Sequence, residues 1–298
     1  MLEFRPVHEN DYELCAPIMS SCGYNSTESS FVILYTWGNL YNTEICMDGD
    51  TVYVRSGKGD DVSYLPPLGG SFEETLPKIY ETEKAFGRTP RFHSVTEKMR
   101  EGMERAFPGE FEFEERRKSF DYIYNREELA TLPGKKYHQK RNQVNKFIKR
   151  YDGRFSYSNM TKDDIPEILE FQKKWIKLAA DKDGIEVLQY ETTAIEKLLA
   201  FFEEFGLRGG VLRVDGKVCA YCIGAKISDD TVDVMVEKGD YAYDGVYQAI
   251  NKMFVEHSCS DVLLINREED MGIEGLRKAK MSYNPTELLV KYGAIWKR

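Results

Sequence analysis

Hydrophobic and polar positions alternate along the first half of the chain with two different periods. Apolar residues at helical spacing predict short helices over residues 10–20 and 31–41. A strand hairpin that turns at Asp48-Gly49 and a further strand come next. A helix, a strand, a second helix and a long strand region over residues 111–125 complete this half. The pattern predicts a sheet with flanking helices.

The second half repeats that order. Two amphipathic helices precede a hairpin that turns at Asp215-Gly216, and a third strand covers residues 230–239. A helix, an apolar strand over residues 261–265, another helix and a last strand over residues 286–296 follow. No sequence identity is visible between the halves. The repeated pattern therefore predicts an α/β (α+β) protein of two tandem domains, each a mixed, mostly antiparallel sheet flanked by helices.

Length and composition agree with two domains. The chain has 298 residues, about twice a usual domain, and its 42% hydrophobic residues suffice for two cores. Neither a leader peptide nor an apolar run of roughly 20 residues is present, so we expect a cytoplasmic protein. Six scattered cysteines favour reduced thiols. Cys219 and Cys222 have metal-ligand spacing but lie in an apolar strand, so no metal site is expected.

Positive charge is concentrated between the halves. The net charge is −9, yet residues 135–150 hold seven Lys and Arg residues and no acid. Apolar residues of this segment recur on one helical face, and turn signals flank it. The sequence thus predicts domains at residues 1–131 and 153–298, joined by a basic linker helix at residues 132–152.

Seven cations without an anion suit a phosphate-rich ligand, because phosphate neutralisation supplies most sequence-independent affinity for RNA. The alternative is a solvated face on a packed linker helix. His138 is expected beside a phosphate rather than in catalysis. The predicted phosphate-binding residues are Lys135, Lys136, His138, Lys140, Arg141, Asn142 and Lys146.

Two segments of the C-terminal half resemble a known family. "GLRKAKMSYNP" (residues 275–285) and "VDVM" (residues 232–235) are similar to motifs of phosphatidylglycerol lysyltransferase C-terminal domains. The element order also resembles the tandem GNAT fold of the aminoacyl-tRNA-dependent Fem enzymes, and the whole chain resembles a soluble bacterial branch of this group. The resemblance implies two GNAT-like acyltransferase domains, with aminoacyl-tRNA as the donor and the active site in the C-terminal domain.

The chain departs from related enzymes at two places. Val236 stands where the lysyltransferases have Arg, and no counterpart of their membrane-spanning flippase is present, which weakens the case for a lipid acceptor. Acetyl-CoA enzymes of this fold bind pyrophosphate with a glycine-rich loop, whereas the matching loop here has only Gly239 and Gly245. A CoA cofactor is therefore not supported, and small-molecule, peptide and lipid acceptors stay open.

Asp233 and Glu237 are the candidate general bases. They lie four residues apart on one predicted strand, so their side chains are expected on the same face. The alternative is a solvent-facing strand edge. Arg267 follows an apolar strand, at the kind of carboxyl end where ligands bind α/β sheets. Together with Lys280, which the resemblance implicates, Arg267 is expected to stabilise negative charge.

Five further residues are expected to line a pocket for the acceptor. For two of them the sequence leaves structural alternatives open: a tyrosine in an apolar strand is usually core, and acids after the strand can pair with Arg277 or Lys280 on the surface. The predicted pocket residues are Tyr221, Asn266, Glu268, Arg277 and Tyr283.

Three hypotheses about function follow. The leading one is an acyltransferase that moves an aminoacyl group from aminoacyl-tRNA to an amine or hydroxyl acceptor. The second is a non-catalytic phosphate-ligand or RNA-binding protein on the same scaffold. The third is an acyl-CoA-dependent N-acyltransferase, against which the glycine-poor loop argues.

Overall fold

Two seven-stranded sheets and their flanking helices make up the protein. The computed structural model describes residues 1–183 and 185–298, and outside residues 178–189 it describes their side chains too. The helices are α1 (Tyr12–Ser21), α2 (Phe31–Tyr41), α3 (Phe72–Lys84), α4 (Glu97–Ala106), α5 (Arg126–Thr131), α6 (His138–Arg150), α7 (Ile165–Asp183), α8 (Ile185–Ala200), α9 (Val246–Ser258) and α10 (Glu274–Met281).

Both sheets are mixed and mostly antiparallel, as the sequence predicts. The N-terminal sheet has, in spatial order, β1 (Arg5–Pro6), β2 (Glu44–Asp48), β3 (Thr51–Ser56), β4 (Ser63–Leu68), β5 (Arg91–Thr96), β14 (Lys291–Trp296) and β6 (Phe111–Glu115). The C-terminal sheet has β13 (Glu287–Leu289), β7 (Asp121–Asn125), β12 (Leu264–Asn266), β11 (Thr231–Gly239), β10 (Lys217–Lys226), β9 (Arg208–Val214) and β8 (Phe155–Asn159). The sequence pattern missed β1 and β8.

The sheets exchange strands across the middle of the chain. The strand region predicted over residues 111–125 divides into β6, in the N-terminal sheet, and β7, in the C-terminal sheet. The last predicted strand divides in the same way, because β13 pairs with β7 whereas β14 lies between β5 and β6. Each sheet therefore takes one strand from the far side of the expected linker at residues 132–152, and the division into separate domains stays a prediction.

Each sheet contains a pair of parallel neighbours that soon diverge. In the C-terminal sheet, β11 and β12 pair from Thr231 opposite Leu264 to Asp233 opposite Asn266. β12 then ends, while β11 continues to Gly239. The carboxyl ends of these strands therefore separate, which is where α/β sheets commonly bind ligands.

Helix α6 carries the basic segment and packs through its apolar face. Val144 and Phe147 are fully buried, as the spacing predicts. The helix lies close against the start of α9, where Gly245 has a φ of 83° and a Cβ would stand 2.5 Å from the backbone oxygen of Gln143. Only glycine fits that contact without strain. In the described part of the chain, no helix is both long and apolar enough to cross a bilayer.

Candidate active site

Asp233 and Glu237 lie on opposite faces of β11, so the expectation that they share a face is wrong. The pairing of β11 with β10 shifts by one residue, which places Glu237 opposite Cys222 and Asp233 opposite Ala225. Met235 is the additional residue in this β-bulge. A bulge reverses the alternation of side chains beyond it, which spacing along the sequence does not reveal. The two carboxyl groups therefore belong to two different surroundings.

Glu237 faces α9 and holds the guanidinium of Arg267. Nη2 of Arg267 lies 3.2 Å from each carboxylate oxygen of Glu237, and Nδ2 of Asn251 donates to Oε2 at 2.9 Å. Burial opposes the charge of Arg267, but Glu237 together with Tyr124 and Tyr283 outweighs it and raises the pKa of the guanidinium. Nη1 of Arg267 is buried, and the described residues offer it no acceptor. The ion pair thus carries one unused hydrogen-bond donor.

Helix α6 brings a second cation to the same place. Nζ of Lys140 lies 4.1 Å from the ring centre of Tyr283, and the guanidinium of Arg267 lies 4.8 Å from it. Burial and the charge of Arg267 lower the pKa of Lys140. We call Glu237, Arg267, Asn251, Lys140 and Tyr283 the Arg267 site. It combines two cations, a carboxylate and a spare donor beside the diverging ends of β11 and β12.

On the opposite face of the sheet lies a group of buried acids around one lysine. Nζ of Lys291 donates to Oδ1 of Asp121 at 2.7 Å and to Glu28. Lys291 begins the exchanged strand β14, and Asp121 begins the exchanged strand β7, and both are fully buried. We call this group the carboxylate cluster. Its acids are Glu28, Asp121, Asp233, Glu268 and Glu269.

The acids of the carboxylate cluster differ in their affinity for protons. Burial alone would raise the pKa of Glu28, but Lys291 lowers it to about 2. Burial lowers the pKa of Lys291 less than Asp121 and Glu28 raise it, so the lysine stays charged. Burial and the charge of Asp121 raise the pKa of Asp233 well above its usual range. Asp233 therefore holds its proton more tightly than Glu28 does.

Asn266 organises the backbone between the two regions. Its Nδ2 donates to Asp121 Oδ2 at 3.0 Å and to the backbone oxygen of Asn25 at 2.9 Å, and its Oδ1 accepts from the backbone N–H of Glu268 at 2.7 Å. Because all these groups belong to the protein, Asn266 fixes the turn after β12 and does not present a free amide to a pocket.

Lys280 also holds this turn. Its Nζ donates to the backbone oxygens of Arg267, Glu268 and Glu269 at 2.6, 3.2 and 2.5 Å. An ammonium group has three hydrogens, so none is left for a substrate oxygen. Lys280 therefore positions Arg267, which differs from the charge-stabilising role that we expected of it.

Two other predicted pocket residues bind protein groups away from both regions. Arg277 makes a two-point ion pair with Asp270 at 2.8 and 3.0 Å. Tyr221 is fully buried and donates to Oε1 of Gln172 at 2.7 Å, in agreement with the core alternative.

The predicted phosphate-binding residues are largely engaged with other parts of the protein. Lys136 pairs with Glu128 at 2.8 Å, and Lys146 pairs with Asp244 at 2.5 Å. Arg141 donates to the backbone oxygens of Leu132 and Gly134. His138 and Asn142 contact each other on the surface, and Lys135 is exposed. Of the seven, all of which are described, Lys140 is the one that lies at the Arg267 site.

Sequence reasoning missed Glu28, Asp121, Lys291 and Asn251. A signal existed for two of them, since Asp121 and Lys291 are single charges in otherwise apolar strands. A charge within a buried strand needs a partner, but the strand does not say which one. Among the described residues, no three His, Cys, Asp or Glu side chains are arranged to hold a metal ion.

Two mixed sheets, each with flanking helices and a diverging parallel pair, define a tandem GNAT-like α/β protein. The family model described as "Phosphatidylglycerol lysyltransferase, C-terminal" matches residues 23–295, and the chain belongs to this family. Related families are transferases.

Several known proteins are similar to this chain. A conserved protein of unknown function from Bacteroides thetaiotaomicron is 35% identical over 100% of both chains, with a TM-score of 0.92. The C-terminal domain of a putative lysylphosphatidylglycerol synthetase from Agrobacterium fabrum (12% identity, 97% of this chain, 92% of that chain, TM-score 0.66) shares the fold. FemX does so too (9% identity, 99% and 98%, TM-score 0.67).

A curated relative is the protein MYCGA3080 of Mycoplasmoides gallisepticum, which is 24% identical over 176 residues. The match covers 58% of this chain and 55% of that protein, so the chain spans about half the length of this relative.

Proposed function

We propose that the protein transfers an aminoacyl group from aminoacyl-tRNA to an amine or hydroxyl acceptor at the Arg267 site. The family and the structural likeness to a putative lysylphosphatidylglycerol synthetase and to FemX support this class of reaction. The observation that carries the proposal is the unused Nη1 donor of Arg267, buried at the diverging ends of β11 and β12.

The reaction needs stabilisation of an oxygen that becomes negative. The acceptor's nitrogen or oxygen bonds to the ester carbonyl carbon, and the bond from that carbon to the ribose oxygen then breaks. Arg267 Nη1 donates to the carbonyl oxygen while it carries charge, and Lys140 adds a second positive charge nearby. Glu237 and Asn251 hold the guanidinium in place, so little reorganisation is needed during the reaction.

The acceptor must lose a proton, and the ribose oxygen must gain one. Glu237 serves as the base in this proposal, because its Oε1 has one partner and retains a free lone pair. The proton then passes to the ribose oxygen as it leaves, so the step is balanced without another reactant. Lys280 contributes by holding the turn that carries Arg267.

The contacts of α6 favour a tRNA donor over acyl-CoA. A donor phosphate at the start of α9 would need the backbone N–H groups there to be open. Instead the backbone of Gln143 in α6 approaches Gly245 closely at that point. Exposed cations in α6 and just before it, such as Lys149 and Lys135, supply positive charge for a polyphosphate chain along the outside of the helix.

A non-catalytic RNA-binding protein is the second candidate. The observation that favours it is Lys280, whose hydrogens are all donated to backbone oxygens and which therefore has no donor left for a reacting oxygen.

The decisive experiment compares binding and turnover. The purified chain is mixed with an aminoacylated tRNA pool, uncharged tRNA or acetyl-CoA at two salt concentrations, and transfer to a mixture of amines and alcohols is followed. We expect preference for charged tRNA, steep weakening with salt, and transfer that Glu237→Gln abolishes while binding persists. Glu256→Gln removes an exposed ion pair of α9 and serves as the control.

Two outcomes would contradict the proposal. Binding to acetyl-CoA alone would favour an acyl-CoA enzyme. Binding to charged and uncharged tRNA alike, without transfer by the wild type, would favour the RNA-binding alternative.

A further inference from the structure

Asp233 is a buried acid without a partner. It is fully buried, and the described residues provide no hydrogen-bond partner for either of its carboxyl oxygens. Leaving a buried polar group unpaired costs about 1–3 kcal/mol. The proposed reaction does not use Asp233, so its carboxyl group stays without a hydrogen-bond partner. A ligand that donates hydrogen bonds would satisfy it.

The surroundings of Asp233 are rich in acceptors and negative charge. The groups whose charges act on it are Asp121 from β7, Lys291 from β14, Lys280 from α10, and Glu268 and Glu269 from the turn after β12. Lys291 is committed to Asp121 and Glu28, and Lys280 is committed to three backbone oxygens. The carboxylate cluster thus has more acids than its two lysines can neutralise.

We infer that the carboxylate cluster binds the primary ammonium group of a substrate, with Asp233 as its direct partner. The inference deepens the proposed transfer and rests on it for the ligand being a substrate. An ammonium group brings three donors and one positive charge, which are what the unpaired oxygens of Asp233 and the excess of acids lack.

Other ligand classes fit less well. A phosphate-bearing head group would place negative charge among five carboxyl groups, which like-charge repulsion opposes. A divalent metal needs several carboxylate or imidazole ligands in one shell, and the described residues form no such group. A hydroxyl group could donate to Asp233, but its single hydrogen would leave one of the two unpaired carboxyl oxygens without a partner.

Glu268 and Glu269 form the more exposed side of the cluster, because both are partly exposed whereas Asp233 and Asp121 are fully buried. Tyr41, at the end of α2, is half exposed, and burial and the charges of Glu269 and Glu268 raise its pKa. An aromatic ring on this side also suits a cation. We therefore expect a small amine to approach from the side of Glu268 and Glu269.

The ammonium would bind close to the Arg267 site. The side chain of Asn266 contacts Asp121 of the carboxylate cluster, and the side chain of the next residue, Arg267, lies on the other face, as for successive residues of an extended strand. The turn held by Lys280 thus connects the two regions, with an ester carbonyl expected on one side and an ammonium group that does not itself react on the other.

The test is calorimetric titration of the full chain at pH 7 without tRNA. Each ligand containing an ammonium group is paired with a neutral one of similar shape: n-propylamine with n-propanol, and L-alanine methyl ester with its N-acetyl derivative. We expect the ammonium compounds to bind and their neutral counterparts not to bind. Asp233→Asn should weaken binding about tenfold or more, since a hydrogen bond to a charged group is lost.

A control variant and a proton count sharpen the test. Asp229→Asn removes an exposed carboxylate near the start of β11 and should leave binding unchanged. Because burial raises the pKa of Asp233 and an ammonium group favours its carboxylate form, binding should be accompanied by release of a proton. Titrations in two buffers of different ionisation enthalpy measure that release.

The outcomes separate cleanly. Binding of n-propylamine supports an ammonium group of the acceptor that does not itself react, and binding of the alanine ester alone supports the α-ammonium of the donor. Equal affinity for amine and alcohol overturns the inference, as does Asp233-dependent binding of Mg²⁺ or of α-glycerophosphate. If Asp233→Asn does not fold, Glu269→Gln at the partly exposed entrance replaces it, with the same expected direction. Failure of tRNA transfer would not alter these titrations.

Discussion

The two faces of the β11–β12 pair carry opposite unmet hydrogen-bonding needs. At the Arg267 site a buried guanidinium nitrogen lacks an acceptor, whereas in the carboxylate cluster both oxygens of Asp233 lack a donor. The first need suits a carbonyl oxygen that becomes negative, and the second suits an ammonium group. One bulged residue, Met235, assigns Glu237 to the first region and Asp233 to the second.

The two regions also differ in how the chain builds them. The Arg267 site takes all its residues from α6 and the part of the chain that follows it. The carboxylate cluster needs both halves, because Asp121 and Lys291 meet only through the exchange of β7 and β14. Damage to the cluster should therefore affect folding, whereas damage to the Arg267 site should affect function first.

The largest effect is expected for Lys291→Met. Removing the lysine leaves Asp121 and Glu28 buried without their cation, which typically costs about 3–5 kcal/mol in the free energy of unfolding. Urea unfolding at pH 7 measures it. Lys297→Met removes an exposed ion pair with Glu112 just beyond the same strand and should cost about 0–1 kcal/mol. Equal losses of stability in Lys291→Met and Lys297→Met would contradict a structural role of the buried lysine.

The difference in stability between the wild type and Lys291→Met should depend on pH. The pKa of Glu28, about 2 in the folded protein, lies below its usual 4.5, so its ionised form stabilises the fold above pH 4.5. That contribution declines as the pH falls from 4.5 towards 2. The stability difference between wild type and Lys291→Met should therefore narrow over this range in urea titrations.

Arg267→Lys should separate function from stability. Lysine keeps the positive charge but has a single terminal nitrogen. It therefore cannot bind Glu237 through one nitrogen and present a second nitrogen to the substrate, as the guanidinium does. Loss of one such donor typically lowers turnover by about 100-fold or more. Transfer from aminoacyl-tRNA is measured. The control is Arg208→Lys at the start of β9, where Arg208 pairs with Asp261. Unchanged turnover would remove Arg267 from the reaction.

Asp233→Asn should raise the stability of the protein at neutral pH. The raised pKa of Asp233 means that the wild type loses stability as the pH rises above the usual pKa of 3.8, because unfolding then releases a proton. Asparagine cannot ionise and avoids this loss. Thermal unfolding of both proteins from pH 3 to pH 8 should show a gain that disappears at the acidic end. A pH-independent difference would argue against a raised pKa of Asp233.

The smallest effect is expected for α6. Lys140→Met should lower the slope of the logarithm of tRNA affinity against the logarithm of salt concentration by about 1, as removal of one phosphate contact does. Fluorescence anisotropy at several salt concentrations measures it. Lys162→Met removes an exposed cation outside α6, paired with Glu203, and should leave the slope unchanged. Equal slopes for Lys140→Met and Lys162→Met would show that Lys140 does not contact the tRNA.

The sequence by itself determined the order of helices and strands, the α/β class, the apolar face of α6 and the place of Arg267 at a strand end. These features follow from periodicity and from residues a few positions apart. The tertiary structure alone decided the strand exchange, the bulge at Met235 and the three backbone contacts of Lys280. The reason is physical: hydrophobic period fixes which side of a strand is buried, whereas the choice of neighbouring strand and register depends on packing between distant segments.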